Sequence, residues 1–117
     1  MKTKLFSAAF CLLLLSGSAL AQNQQELNQQ ADAAYRKADA ELNRLWKKLQ
    51  PSLSPEVKEK LVISQQHWIT FRDAEAEAKA SMFEGGSMAP MIYSNSLRAT
   101  TEQRIRELRT WIEATSH

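Results

Sequence analysis

The sequence predicts an all-α protein, an antiparallel up-down-up bundle of three long helices. Apolar residues recur at steps of three and four along three segments of similar length. The strongest helix breakers fall at the ends of those segments, at Pro51, Pro55, Gly85, Gly86 and Pro90. No stretch sustains a two-residue alternation, so no sheet is expected.

The first 21 residues, ahead of those segments, carry a different kind of signal. Lys2 and Lys4 precede an apolar run from Leu5 to Leu15, and Ala19-Leu20-Ala21 supplies small residues at a cleavage site. This pattern predicts a cleaved Sec-type signal peptide over residues 1–21, cut between Ala21 and Gln22, and a periplasmic or secreted mature chain over residues 22–117 forming a single helical domain. The run is shorter than the roughly 20 residues that span a bilayer. Cys11, the only cysteine, leaves with it, so packing alone must hold the mature fold. The chain has 15 Lys+Arg and 13 Asp+Glu; Lys2 and Lys4 lie in the signal and no acid does, which leaves a formal balance of zero. A neutral chain gains little from releasing counterions on phosphates, so no nucleic-acid partner is expected.

Helix one is expected from about Gln24 to Leu49, with a stripe of Leu27, Ala31, Ala34, Ala38, Leu42, Leu45 and Leu49 widened by Tyr35 and Trp46. Pro51 to Pro55 breaks it. Ser54 is a good N-cap for helix two, and Pro55 fits the first helical position. Helix two runs to about Phe83 on Val57, Leu61, Trp68, Phe71, Ala74, Ala78 and Met82. Gly85 can take the left-handed conformation that ends it. Ser87 can cap helix three, whose stripe is Met91, Leu97, Thr101, Ile105, Leu108, Trp111 and Ile112. At about 1.5 Å per residue each helix would be roughly 40 Å long.

Three local runs carry a family resemblance: Ala38-Asp39-Ala40-Glu41-Leu42-Asn43, Gln65-Gln66-His67-Trp68-Ile69-Thr70-Phe71-Arg72-Asp73-Ala74-Glu75, and Glu84-Gly85-Gly86-Ser87. Their order and spacing resemble the lysozyme inhibitor LprI-like family of exported bacterial proteins, from about Leu27 to Trp111. The resemblance implies a structural motif at Asp39, Leu42, Asn43, Gln66, Trp68, Phe71, Arg72 and Asp73, and a protein partner, a lysozyme whose cleft is blocked. The family usually carries cysteines near the positions of Gln30, Ala76 and Ser96 and near the mature start. This chain has none there.

Glu84, Gly85, Gly86 and Ser87 are the candidate partner-binding residues. Glycines let a backbone approach a partner closely, and the alternative is a plain helix-ending turn. Trp68, Phe71, Arg72 and Asp73 offer either an interface anchor or core packing in which Arg72 and Asp73 pin a neighbouring helix. Helical periodicity favours the second. Glu75 falls on the apolar stripe and calls for a cation, for which Arg104 is the candidate. Arg98, Arg106 and Arg109 would form solvated pairs with neighbouring acids.

Met82, Met88 and Met91 bracket the loop, with His67 in helix two. Thioethers can hold cuprous copper, and methionine also fills gaps at bundle ends. No catalytic residue, metal or cofactor is assigned, since residues 22–117 hold no thiol nucleophile, zinc motif or phosphate-binding glycine loop. The sequence therefore reads as a non-enzymatic protein-binding chain. An envelope adaptor that binds through a helical face is the alternative to a lysozyme inhibitor, and a periplasmic copper binder is the weaker one.

Overall fold

The computed structural model describes the backbone of residues 2–116 and the side chains of residues 19–116. Met1 and the side chains of residues 2–18, which hold most of the predicted signal, lie outside the described residues. Three helices form a bundle: α1 (Lys2–Leu49), α2 (Pro55–Ser81) and α3 (Ala89–Thr115), with a short 3-10 turn at Gln50–Ser52. No strand occurs among the described residues, so the all-α expectation holds. α2 and α3 have 27 residues each, and the part of α1 beyond residue 21 is of similar length. α1 continues unbroken through Ala21 and Gln22 instead of starting near Gln24.

The first break forms as its residues imply. Pro51 lacks an N–H to continue the helix, and Leu53 N–H closes a turn on the Gln50 carbonyl at 3.2 Å. Ser54 is extended, and its hydroxyl accepts from Val57 N–H at 3.3 Å. Pro55 occupies the first turn of α2. The second break differs in detail. Gly85 has φ +81°, yet it lies beyond the helix end at Met82, inside a multi-residue turn. Ser87 does not cap α3. Met88 precedes the helix in a right-handed conformation with no side-chain cap, and Pro90 supplies the stiff first turn.

α3 packs against both α1 and α2, which touch each other through fewer residues. The main core joins Leu42, Leu45 and Leu49 of α1 to Ile105 and Leu108 of α3 and Leu61 of α2. Trp46, Leu53, Trp68 and Ile112 pack around it. Leu49 and Leu108 are fully buried. The core is thinner toward the other end, where Ala31, Ala76 and Leu97 are buried beside Ser94 and Ser96.

α2 is rotated from the orientation its apolar stripe suggests. Its buried residues are Leu61, Gln65 and Ala76, with Trp68 partly buried, whereas Phe71 is 56% exposed. Ala74 and Ala78 are also exposed. Apolar residues occupy two faces of α2, so periodicity alone cannot choose between them. Polar contacts of Gln65 and Arg72 select the face that packs. Leu27 at the thin end of α1 is exposed as well.

Replacing Leu108 by Ala should cost about 2–5 kcal/mol, because it empties a fully buried site. Urea unfolding followed by circular dichroism should show a lower midpoint with the same cooperativity.

Candidate functional site

The residues of the sequence motif separate into two groups. Asp39, Asn43, Trp68, Arg72 and Asp73 meet in one polar clamp between α1 and α2. Arg72 Nη1 lies 3.6 Å from Asp39 Oδ1, and its Nε donates to Asp73 Oδ1 at 3.0 Å. The guanidinium carbon is 5.2 Å from the Trp68 ring centre and 5.7 Å from that of Tyr35. Such spacing adds a cation–π attraction to the charge pairing. Asn43 Nδ2 donates to the other Asp39 oxygen at 3.5 Å, one turn along α1. The Arg72 side chain is only 11% exposed. Burial raises the Tyr35 phenol above its usual range, against the opposing field of Arg72, so the ring stays neutral. Leu42 sits one turn away in the core.

Gln66 and Phe71 do not join the clamp; both face solvent. Glu75 does not reach Arg104. It lies 3.7 Å from Lys79, one turn along its own helix. Arg104 instead donates to Gln65 Oε1 at 2.9 Å and Glu107 Oε2 at 2.8 Å, with Ser64 Oγ at 3.5 Å. A neutral amide therefore satisfies the buried arginine on the α2 side, where an acid was expected.

The segment Met82–Met88 forms the turn between α2 and α3, a tip that lies beside α1, where Gly86, Ser87 and Met88 share a cleft with Leu20, Gln24 and Asn28. Every residue of the segment is exposed, and Met82, Phe83 and Met88 are large and apolar. Met82 is 79% exposed. Glu84, Gly85, Gly86 and Ser87 lie together at its apex. Gly86 N–H bonds the Phe83 carbonyl at 2.9 Å, and a Cβ on Gly86 would come within 3.1 Å of that same oxygen. A Cβ on Gly85 would meet nothing, so its positive φ is what demands glycine there. Among the described residues the N–H groups of Gly85 and Ser87 make no backbone hydrogen bond, and Glu84 makes no ion pair.

Asn28 fixes the tip to α1, donating from Nδ2 to the Ser87 carbonyl at 3.1 Å. Gln24 Nε2 donates to Asn28 Oδ1 at 2.9 Å and lies 3.9 Å from Met91 Sδ. The sequence pattern marks Tyr35 only as widening the helix-one stripe and does not mark Asn28. Only the packing of α1 against α2 and α3 brings them to the clamp and the tip. Met91 thus faces α1, while Met82 points to solvent. Among the described residues no three His, Cys, Asp or Glu come together to hold a metal ion, and no helix is long and apolar enough to cross a membrane. Where the family's cysteines would fall, Ala76 and Ser96 are buried on α2 and α3, and Gln30 is exposed on α1.

The fold and the tip together define a small helical-bundle protein with one exposed, partly apolar turn. Residues 16–108 match the family described as Lysozyme inhibitor LprI, and the chain belongs to that family. It is also similar to an uncharacterized protein of Rhizobium meliloti (strain 1021), with 34% identity over 107 residues, covering 80% of this chain and 77% of the relative. No solved structure matches it.

Arg72→Lys should cost about 1–2 kcal/mol, since lysine cannot keep the planar contacts to both rings and both acids. Phe71→Ser should change stability by less than about 0.5 kcal/mol, as befits an exposed position. Urea unfolding of both variants checks the pair.

A hydrogen bond from Arg44, reinforced by Arg109, holds the Glu41 carboxyl down to about 2. Its stabilising contribution is complete above the ordinary value of 4.5 and is lost as pH falls toward 2. Glu41→Gln should therefore lower the melting temperature at pH 6 and have little effect at pH 2.

Proposed function

We propose that this protein is an exported, non-catalytic inhibitor of a lysozyme-type muramidase, and that the Met82–Met88 tip enters or covers the enzyme's cleft. Residues 1–21 act as a cleaved signal peptide, and residues 22–117 work in the periplasm or outside the cell as a single helical domain. Family membership supports the target class. The observation that carries the contact is the tip itself, where three exposed apolar side chains flank an unpaired acid and two free backbone donors.

The chemistry suits such a target. A lysozyme cleaves with two carboxylates, one as acid and one as nucleophile or charge stabiliser. The Gly85 and Ser87 N–H groups and the Ser87 hydroxyl are donors for a carboxylate. Glu84 can meet a basic rim, while Met82, Phe83 and Met88 cover apolar surface around the cleft. A carboxylate held by donors and shielded from sugar no longer serves the reaction. The clamp at Arg72 and the Asn28 bond hold the tip in one geometry, which lowers the entropy lost on binding.

An adaptor of the envelope is the second reading, favoured by the exposed apolar face of α2 at Ile63, Phe71, Ala74 and Ala78. The two readings differ in one assay. The mature chain at micromolar excess should slow clearing of a cell-wall suspension by lysozyme. Glu84→Lys should weaken inhibition at least tenfold with the fold intact by circular dichroism. No slowing with any of several lysozyme types rejects the inhibitor, and inhibition unaltered by changes at Glu84 and Ser87 moves the contact away from the tip.

A further inference from the structure

A groove of about 550 Å³ runs between α1 and α3, and none of its lining comes from α2. Its floor is apolar, with Ala34, Ala38 and Ile105. Its walls carry Lys37 from α1 and Arg98, Arg106 and Arg109 from α3. Only two acids line it, Glu41 and Glu102. Glu41 is already shared between Arg44, at 2.7 Å, and Arg109, at 3.3 Å. Glu102 lies 3.9 Å from Arg98 Nε, too far for a hydrogen bond, so this buried Nε–H has no acceptor. Lys37 and Arg106 have no ion-pair partner among the described residues. The groove therefore concentrates positive charge over an apolar strip.

We infer that this groove is a docking site for an acidic, amphipathic helical segment of a partner protein. Two parallel helices packed side by side leave a trough in which a further helix of a bundle can lie. The small side chains of Ala34 and Ala38 let its backbone approach, and Ile105 meets its apolar stripe. The lined stretch of α3, from Arg98 to Arg109, is roughly 16 Å long, enough for about three turns of a docked helix. Carboxylates flanking the stripe would pair with Lys37 and Arg106 on opposite walls. A basic wall does not suit a basic enzyme surface, so the site is independent of the tip. It does not rest on the lysozyme reading.

The test uses the purified full-length processed chain and a fluorescein-labelled 14-residue helical peptide with leucines on one face and glutamates flanking them. Fluorescence anisotropy should show saturable binding. A scrambled peptide of the same composition, and a version with lysine for each glutamate, should bind at least tenfold more weakly. The double variant Lys37→Glu, Arg106→Glu should lose at least tenfold in affinity while its circular dichroism melt and its effect on lysozyme stay unchanged. Four outcomes would overturn the proposal. They are equal binding of the scrambled peptide, unaltered binding by the variant, preference for phosphatidylglycerol vesicles or an oligonucleotide over the peptide, and self-association that the double variant abolishes.

Discussion

Leu42, Leu45 and Leu49 lie on one side of a seam that Ile105 and Leu108 close from α3, with Leu61 completing it from α2. Beyond residue 21 the chain has no cysteine, so no disulfide can substitute for this burial. Each large side chain fully removed from water contributes about 1.5–3 kcal/mol. A core of this size leaves a small chain only modestly stable. The placement of the seam also matters. It lies at the α1–α2 turn, so the opposite end must be ordered by other means. There the Asn28 bond to the Ser87 carbonyl and the small buried residues Ala31, Ala76 and Ser94 hold the helices together.

The polar clamp at Arg72 solves a different problem. α1 and α2 share little apolar contact, and a single buried guanidinium spans them by charge and by ring stacking. A group of this kind does not add much net stability, because its desolvation offsets much of its attraction. It does fix which face of α2 turns inward. That choice decides that Phe71 points to water even though it lies one residue from Arg72.

Most of the scaffold was legible in the sequence. Of the stripes predicted for α1 and α3, Ala31, Ala38, Leu42, Leu45, Leu49, Leu97, Thr101, Ile105 and Leu108 are buried, Ala34, Met91 and Ile112 are half-buried, and Leu27 and Trp111, toward the ends, are exposed. The Ser54 cap and the positive φ at Gly85 followed from residue type. α2 was not legible, because it carries apolar residues on both faces. Its orientation depends on Gln65 and Arg72, whose partners lie far away in sequence. The Glu75 pairing failed for a related reason: rotation placed Glu75 beside Lys79 and turned Gln65 toward Arg104. At the tip the four candidate residues could be picked out as a loop. The Asn28 anchor could not, since only the packing of α1 against α3 brings it near Ser87.

The exposed surfaces are chemically divided. The tip combines apolar bulk with one unpaired acid, whereas the α1–α3 groove is basic. Residues 22–117 are formally neutral, yet their surface is in this way divided into regions of different chemistry. The central claim is that the tip, and not the helical faces, meets a lysozyme. Hydrogen exchange on the processed chain with and without an excess of lysozyme tests it most directly. Slowed exchange confined to residues 82–88 and the adjoining turn of α1 is the predicted result. Protection along α2 or in the α1–α3 groove with none at the tip, or no protection anywhere, would contradict it.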